Sequence, residues 1–355
     1  MAVVPASGSN NILHFNQLNL KKMKHFLIMA ITFAFLTVYA ACVKNMHLIV
    51  HSGDTKGGVT APTGSIDVTA CGATPNDTTI DNAGFQKAID SASKLGGATV
   101  WVPAGTYMIN VDISVLLKSN VIISMASGAI LQAHKTGTDR NYVLKALKVG
   151  HIQILGGEII GDRNTHTDTT GEHGMGIAIY GCDSVAVKYT TIRDCWGDGI
   201  TMSSRPSEGA PNASTRIYII GVTADSNRRQ GITIGTVSGV TIDSCTITHT
   251  NGTAPQDGID IEPDSGTARN VNIKHSFFAY NTGNGIEMNA KDTTVDSIYN
   301  INVNDDNFHL NAYAGYLQQV KNSTFNYDSI AAQRYHPYVV LHNYSNVDTI
   351  PLYYY

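Results

Sequence analysis

A Gly-Ile pair recurs through the middle of this chain, at Gly176-Ile177, Gly199-Ile200, Gly231-Ile232, Gly258-Ile259 and Gly285-Ile286, in steps of 23, 32, 27 and 27 residues. Each pair opens a short alternating stretch: Ile177/Ile179, Ile200/Met202, Ile232/Ile234, Ile259/Ile261 and Ile286/Met288. Period-two alternation sends these side chains to one face of an extended strand and the residues between them to the other. A second alternating pair follows each Gly-Ile stretch: Val185/Val187, Ile217/Ile219, Val240/Ile242, Val271/Ile273 and Ile301/Val303. A third apolar position comes next, at Ile192, Ala224, Ile247, Phe278 and Phe308. Three residues later stand Cys195, Asn227, Thr250, Asn281 and Asn311, turn residues able to hydrogen-bond from rung to rung. Three short strands per turn predict an all-β fold, a right-handed parallel β-helix. The unequal steps belong in the turns, where extra residues are tolerated. A leucine-rich solenoid would need a leucine consensus, and none is present.

The flanks are read separately. Lys21, Lys22 and Lys24 precede an apolar run from Phe26 to Ala41 that ends Ala40-Ala41-Cys42. Residues 1–42 are therefore expected to be a targeting segment, with Met23 as an alternative start. Cys42 is a lipidation candidate, although Tyr39 stands where a lipobox usually has an aliphatic residue. The expectation is export, as an outer-membrane or cell-surface lipoprotein or as a secreted or periplasmic protein, touching membrane only through the lipid. Residues 43–65, rich in Gly and polar residues, read as a tether. Residues 66–355 read as the β-helix domain. In it Phe85, Ala88, Ile89 and Ala92 mark one face of a helix at about 81–95, capped by Asp81 or Asn82 and ended by Gly96-Gly97. That helix would cover the open first turn of the coil. After Gln319 the pattern breaks, and a final partial rung plus a cap is expected. Cys71, Cys182, Cys195 and Cys245 have neither CxxC nor zinc spacing, and the later ones are read as core packing.

Stacking by repeat position brings the chemistry together. The residues before the repeat glycines are Met175, Asp198, Gln230, Asp257 and Asn284. The first outward residues after them are Ala178, Thr201, Thr233, Asp260 and Glu287, and the second are Tyr180, Ser203, Gly235, Glu262 and Asn289. With neighbouring rungs about 4.8 Å apart, Asp257, Asp260, Glu262 and Glu287 should share one solvent-facing strip. Asp198 lies two rungs away, and Arg228 and Arg229 lie on the rung between. Like charges this close require compensation by a bound Ca²⁺, by arginine, or by a shared proton on a carboxylic acid. A salt-bridge ladder made for stability alone, with Arg228 and Arg229 neutralising Asp198 and Asp257, is the rival reading. Trp196 enters the Asp198 rung and Tyr180 points outward one rung earlier. The polar loop 162–174 should overhang the same face, and His173 is an acid/base candidate on it.

The stretch Phe85–Tyr107, FQKAIDSASKLGGATVWVPAGTY, then GGEIIGD at 156–162 and the Gly-Ile rungs together resemble the pectin-lyase-like superfamily, over about Ile66 to Gln319. The resemblance implies a secreted polysaccharide-acting protein. Gln256-Asp257-Gly258-Ile259-Asp260 looks like the first polygalacturonase element. The next rung, Gly283-Asn284-Gly285, lacks that family's Asp pair, its G-H-G and R-I-K elements are missing, and so is the D-P-H-D motif of alginate epimerases. Pectate-lyase-like members use carboxylate-bound Ca²⁺ with an Arg or Lys base. On that resemblance Asp257, Asp260, Glu262 and Glu287 would hold Ca²⁺ or the substrate carboxylate, with Arg228 or Arg229 as base and His173 as the alternative.

The expectation is thus a lyase cleaving an acidic, uronate-containing glycan. Asp198, Trp196, Tyr180, Gln230 and Asn284 would contact substrate. The alternatives are a glycoside hydrolase with paired carboxylates and a non-catalytic glycan-binding surface protein. A net charge of −4 with no Lys/Arg run longer than two argues against a nucleic-acid partner. A monomer is expected.

Overall fold

The computed structural model describes residues 60–349 other than 265, 291–296, 328 and 336–337. The segment expected to be a targeting sequence, with Cys42, and most of the expected tether lie outside the described residues. The described strands that form sheets fall into three, one of eleven strands and two of nine, and every pairing is parallel. The chain visits the sheets in rotation. Asp183–Lys188, Thr191–Arg193 and Ile200–Ser203 form the sides of one turn; Ser214–Ile220, Thr223–Asp225 and Ile232–Ile234 form the next. This is the predicted parallel β-helix.

The register follows the sequence repeat. Ile177, Ile200, Ile232, Ile259 and Ile286 stack in one sheet. Val185, Ile217, Val240, Val271 and Ile301 stack in the long sheet. Ile192, Ala224, Ile247, Phe278 and Phe308 stack in the third. All are buried in one continuous core, together with Cys182, Cys195 and Cys245, which are free thiols. The repeat glycine is required by close approach. A Cβ on Gly258 would lie 2.6 Å from the Gly285 carbonyl oxygen and 3.0 Å from the Phe278 ring.

At one bend, polar side chains replace the missing ladder. The Asn227 Oδ1 accepts from the Cys195 amide at 3.1 Å, Asn281 Oδ1 from Thr250 at 3.0 Å, and Asn311 Oδ1 from Asn281 at 3.3 Å. At a second bend the Ser276 Oγ accepts from the Cys245 amide at 3.1 Å, and Asp306 Oδ1 accepts from the Ser276 amide at 2.6 Å. Asp306 is fully buried and its Oδ2 has no donor. Burial pushes its carboxyl up to about 7. A group raised on folding stabilises below its unfolded value and loses that stabilisation as pH rises through the folded one. Asp306→Asn should therefore match the wild type only near pH 3, below the ordinary aspartate value, and exceed it at pH 8. The gain should be roughly 1–3 kcal/mol after allowing for the added N–H, read from urea melts at both pH values. Equal melts at pH 8 would refute the assignment.

The helix α1, Asn82–Lys94, buries Phe85, Ala88, Ile89 and Ala92 as predicted. Its start is made differently. Asp81 does not cap it; its carboxylate accepts from the Thr74 amide at 2.7 Å and the Met108 amide at 2.9 Å, tying the helix entry to the first rungs. The C-terminal expectation is also corrected. Val320–Phe325, Ser329–Ala331, Val339–His342 and Ser345–Thr349 each add a strand to a sheet, so the coil continues beyond Gln319. Its pattern is hard to see in the sequence because Tyr338-Val339 stands where the earlier rungs have Gly-Ile.

Candidate active site

The Gly-Ile sheet sets the candidate residues in the predicted columns. Thr233 pairs with Asp260, and Asp260 with Glu287. Alternation turns Ile259 and Ile261 inward, so Asp260 faces out of the coil. The strip is not solvent-facing, however. Asp198 and Asp257 are 0% exposed and Asp260 is 1%. The strands here are only three or four residues long, and Arg229, Gln230 and Asn284, in the turns entering them, bond the acids. Glu262, Glu287, Arg229 and Asn289 keep some surface and form the reachable layer.

Beneath that layer the polar groups bind each other. Gln230 donates from Nε2 to Asp260 Oδ2 at 2.9 Å and accepts the Asp257 amide at 2.7 Å. The Asn284 amide donates to Asp257 Oδ1. Glu287 accepts from Asn284 Nδ2 at 3.0 Å and from Asn289 Nδ2 at 3.2 Å. Arg229 reaches Asp198 at 3.3 Å, Glu172 at 3.5 Å and Glu262 at 3.9 Å. Thr233 donates to Asp198 at 2.8 Å.

Only Arg229 enters the acids, which corrects the expectation for Arg228. The Arg228 guanidinium lies 3.7 Å from the Trp196 ring centroid and bonds the Gly171 carbonyl at 2.8 Å. Trp196 is buried, and the His166 ring stacks on it at 4.0 Å. It therefore braces the loop and offers no open sugar platform. Tyr180 too is buried. His173 is half-buried and its Nδ1 lies 3.2 Å from Asp139.

Protonation follows from this geometry. Burial and the adjacent Glu287 push Asp257 well above the usual carboxylate range. Asp257 Oδ2 has no N–H donor. Burial, Asp257 and Glu287 push Asp260 well up. Burial also raises Asp198, but Arg229 and Thr233 oppose it. Burial works against the Arg229 charge, yet Asp198, Asp260 and Glu172 outweigh it and hold the guanidinium above its ordinary value. An arginine held in its charged form is disfavoured as a base. As for Ca²⁺, the buried carboxylates are engaged with N–H and O–H donors or with one another. No three His, Cys, Asp or Glu side chains among the described residues are arranged to hold a metal ion.

The profile of a family described as rhamnogalacturonase A/epimerase, pectate lyase-like, matches residues 65–324. This chain belongs to that family. A relative, the Bacillus subtilis protein YclG, is 31% identical over 57% of this chain and 39% of its own length. This family member thus spans about two fifths of that relative. Among solved structures, an N-terminal fragment of bacteriophage phi29 gene product 12 superposes with TM-score 0.65 at 18% identity, over 89% of this chain and 56% of that one. The tailspike protein gp49 of Acinetobacter baumannii bacteriophage Fri1, a capsular polysaccharide depolymerase, superposes with TM-score 0.55 at 16% identity, over 82% and 58%. At such identities these two structures establish the shared coil only.

Sequence reasoning did not assign roles to Thr233, Asn289 or Glu172 in this family member's acid cluster. Thr233 and Asn289 stand in the outward columns, so the register itself was the available signal. Glu172 lies on the 162–174 loop, whose path no repeat dictates.

Proposed function

We propose that this chain is a polysaccharide-cleaving glycoside hydrolase. The observation that carries the reading is the buried Asp257 carboxyl, lacking an N–H donor at Oδ2 and facing Glu287. In this reading the pair carries the proton that a general acid must hold, on the carboxyl that burial and Glu287 raise. Glu287, the member with surface, is where that proton meets the glycosidic oxygen. The base is Glu262, whose charge Arg229 favours from 3.9 Å. Glu262 is diagonal to Glu287 on the adjacent rung, about 8 Å away by strand and rung spacing. That separation leaves room for a water and suits inversion of the anomeric centre. Asp260 lies nearer Glu287, but its raised carboxyl disfavours a nucleophile.

The test is digestion of pectin, rhamnogalacturonan, alginate, glycosaminoglycans and neutral glycans, with and without Ca²⁺. New reducing ends without ultraviolet absorbance are expected, and the first-formed anomer should be inverted by NMR. Absorbance from an unsaturated uronate would replace this reading with β-elimination. Binding without turnover on every glycan would leave a glycan-binding surface protein.

A further inference from the structure

The outward face of the Gly-Ile sheet differs on the two sides of the acids. On the N-terminal side it is sealed. Ala178 and Tyr180 pair in register with Thr201 and Ser203 and would continue the groove floor. They are instead 0% and 3% exposed, in an apolar cluster with Tyr142, Met175 and Ala210 that is separate from the core. The cover is the turn 205–210. Arg205 and Ala210 exchange backbone hydrogen bonds of 2.5 and 2.9 Å around the short helix Pro206–Glu208. Glu208 is bound by Lys145 and lies 3.5 Å from both the Tyr142 hydroxyl and Arg205. The Arg205 guanidinium stands 5.4 Å from the Tyr180 ring centroid. Several anchors on two rungs make this a fixed wall. It also accounts for the longest repeat step, the 32 residues from Gly199 to Gly231.

On the C-terminal side the face is open and aromatic. Tyr316 is the register partner of Glu287. Its ring lies 5.5 Å from the exposed His342, and Tyr313 lies 5.6 Å from Tyr335, which is 56% exposed. Rings presented in this way suit the apolar faces of sugars. Between wall and acid the outward residues are small, Thr201, Ser203, Thr233 and Gly235. Three rungs span about 14 Å, room for a di- or trisaccharide.

We infer that the protein acts on glycan chain ends. One end abuts the Arg205–Ala210 wall, the chain passes Glu287, and the remaining polymer runs out over Tyr316 and His342. This rests on the hydrolytic reading of the same acids, and product size separates the two.

The experiment is a digestion time course on a cleaved polysaccharide, followed by size-exclusion chromatography. Short products of nearly constant size should appear beside polymer that shortens slowly. His342→Ala, one rung farther from the acids than Tyr316, should lower kcat/KM on long oligosaccharides by about three- to tenfold and leave the shortest cleaved substrate unchanged. Replacing 206–209 by Gly-Gly, in a variant that keeps its melting temperature, should add mid-length products. An early, uniform fall in polymer size by the wild type would overturn end-directed action and leave hydrolysis standing. So would a His342→Ala loss that is equal at all substrate lengths. Absence of cleavage would overturn both.

Discussion

Asp257→Asn is expected to lower kcat by about 10²- to 10⁴-fold, the span of a lost general acid, and yet to make the protein more stable. The amide oxygen can still accept the Asn284 amide hydrogen, and the NH₂ supplies a donor at the position of Oδ2, which has none. The acid proton of the proposed mechanism is gone. The stability effect follows from the direction of the shift. Asp257 is raised on folding by burial and by Glu287, so the wild type loses stability as pH climbs from the ordinary carboxylate range through the raised value. The variant escapes that loss. It should melt with the wild type at pH 4 and above it at pH 8, a trade of stability for activity common at active sites. Retained turnover would remove Asp257 from the mechanism. Destabilisation at every pH would make it a structural residue whose loss of activity follows from misfolding. In the wild type, activity should fall on the alkaline side as the pair loses its proton.

The coil was legible because its determinants are local. Gly258 must be glycine for the neighbouring rung to approach, and Ile259 and Ile261 must be apolar to face inward. The same alternation gave the outward columns, so Asp260 beside Glu287 could be read from spacing alone. Depth and direction could not. Arg228 and Arg229 are adjacent in sequence, but one turns to Trp196 and the Gly171 carbonyl and the other to Asp198, Glu262 and Glu172, and the path of the irregular loop carrying Gly171 and Glu172 is not set by the repeat. Tyr180 was placed outward correctly, yet its burial depends on a turn that returns across two rungs. The strands after Gln319 escaped notice because stacking on an existing edge holds them more than any pattern of their own.

Asn281→Ala should be among the most destabilising single changes outside the apolar core. Its Oδ1 satisfies the Thr250 amide at 3.0 Å, and its Nδ2 donates to the Ile247 carbonyl at 3.2 Å and to Asn311 Oδ1 at 2.9 Å. Asn281, Thr250 and Asn311 are all 0% exposed, so water cannot replace the lost groups. Two backbone groups stranded in the interior, at about 1–3 kcal/mol each, give an expected loss of roughly 3–5 kcal/mol. The contrast is Asn302→Ala. Asn302 also bonds asparagine to asparagine across rungs, at 3.1 Å to Asn272, but on the wet outer face of the long sheet. Water takes up what that change exposes, and its loss should stay below about 1 kcal/mol. Urea denaturation ranks the pair, and hydrogen exchange at the Thr250 amide locates the defect. If the two variants unfold alike, the buried polar bend contributes no more than a surface hydrogen bond. Rung spacing would then be held by the backbone ladders and the apolar stack alone, and the outward columns that align Asp260 with Glu287 would owe nothing to the asparagines.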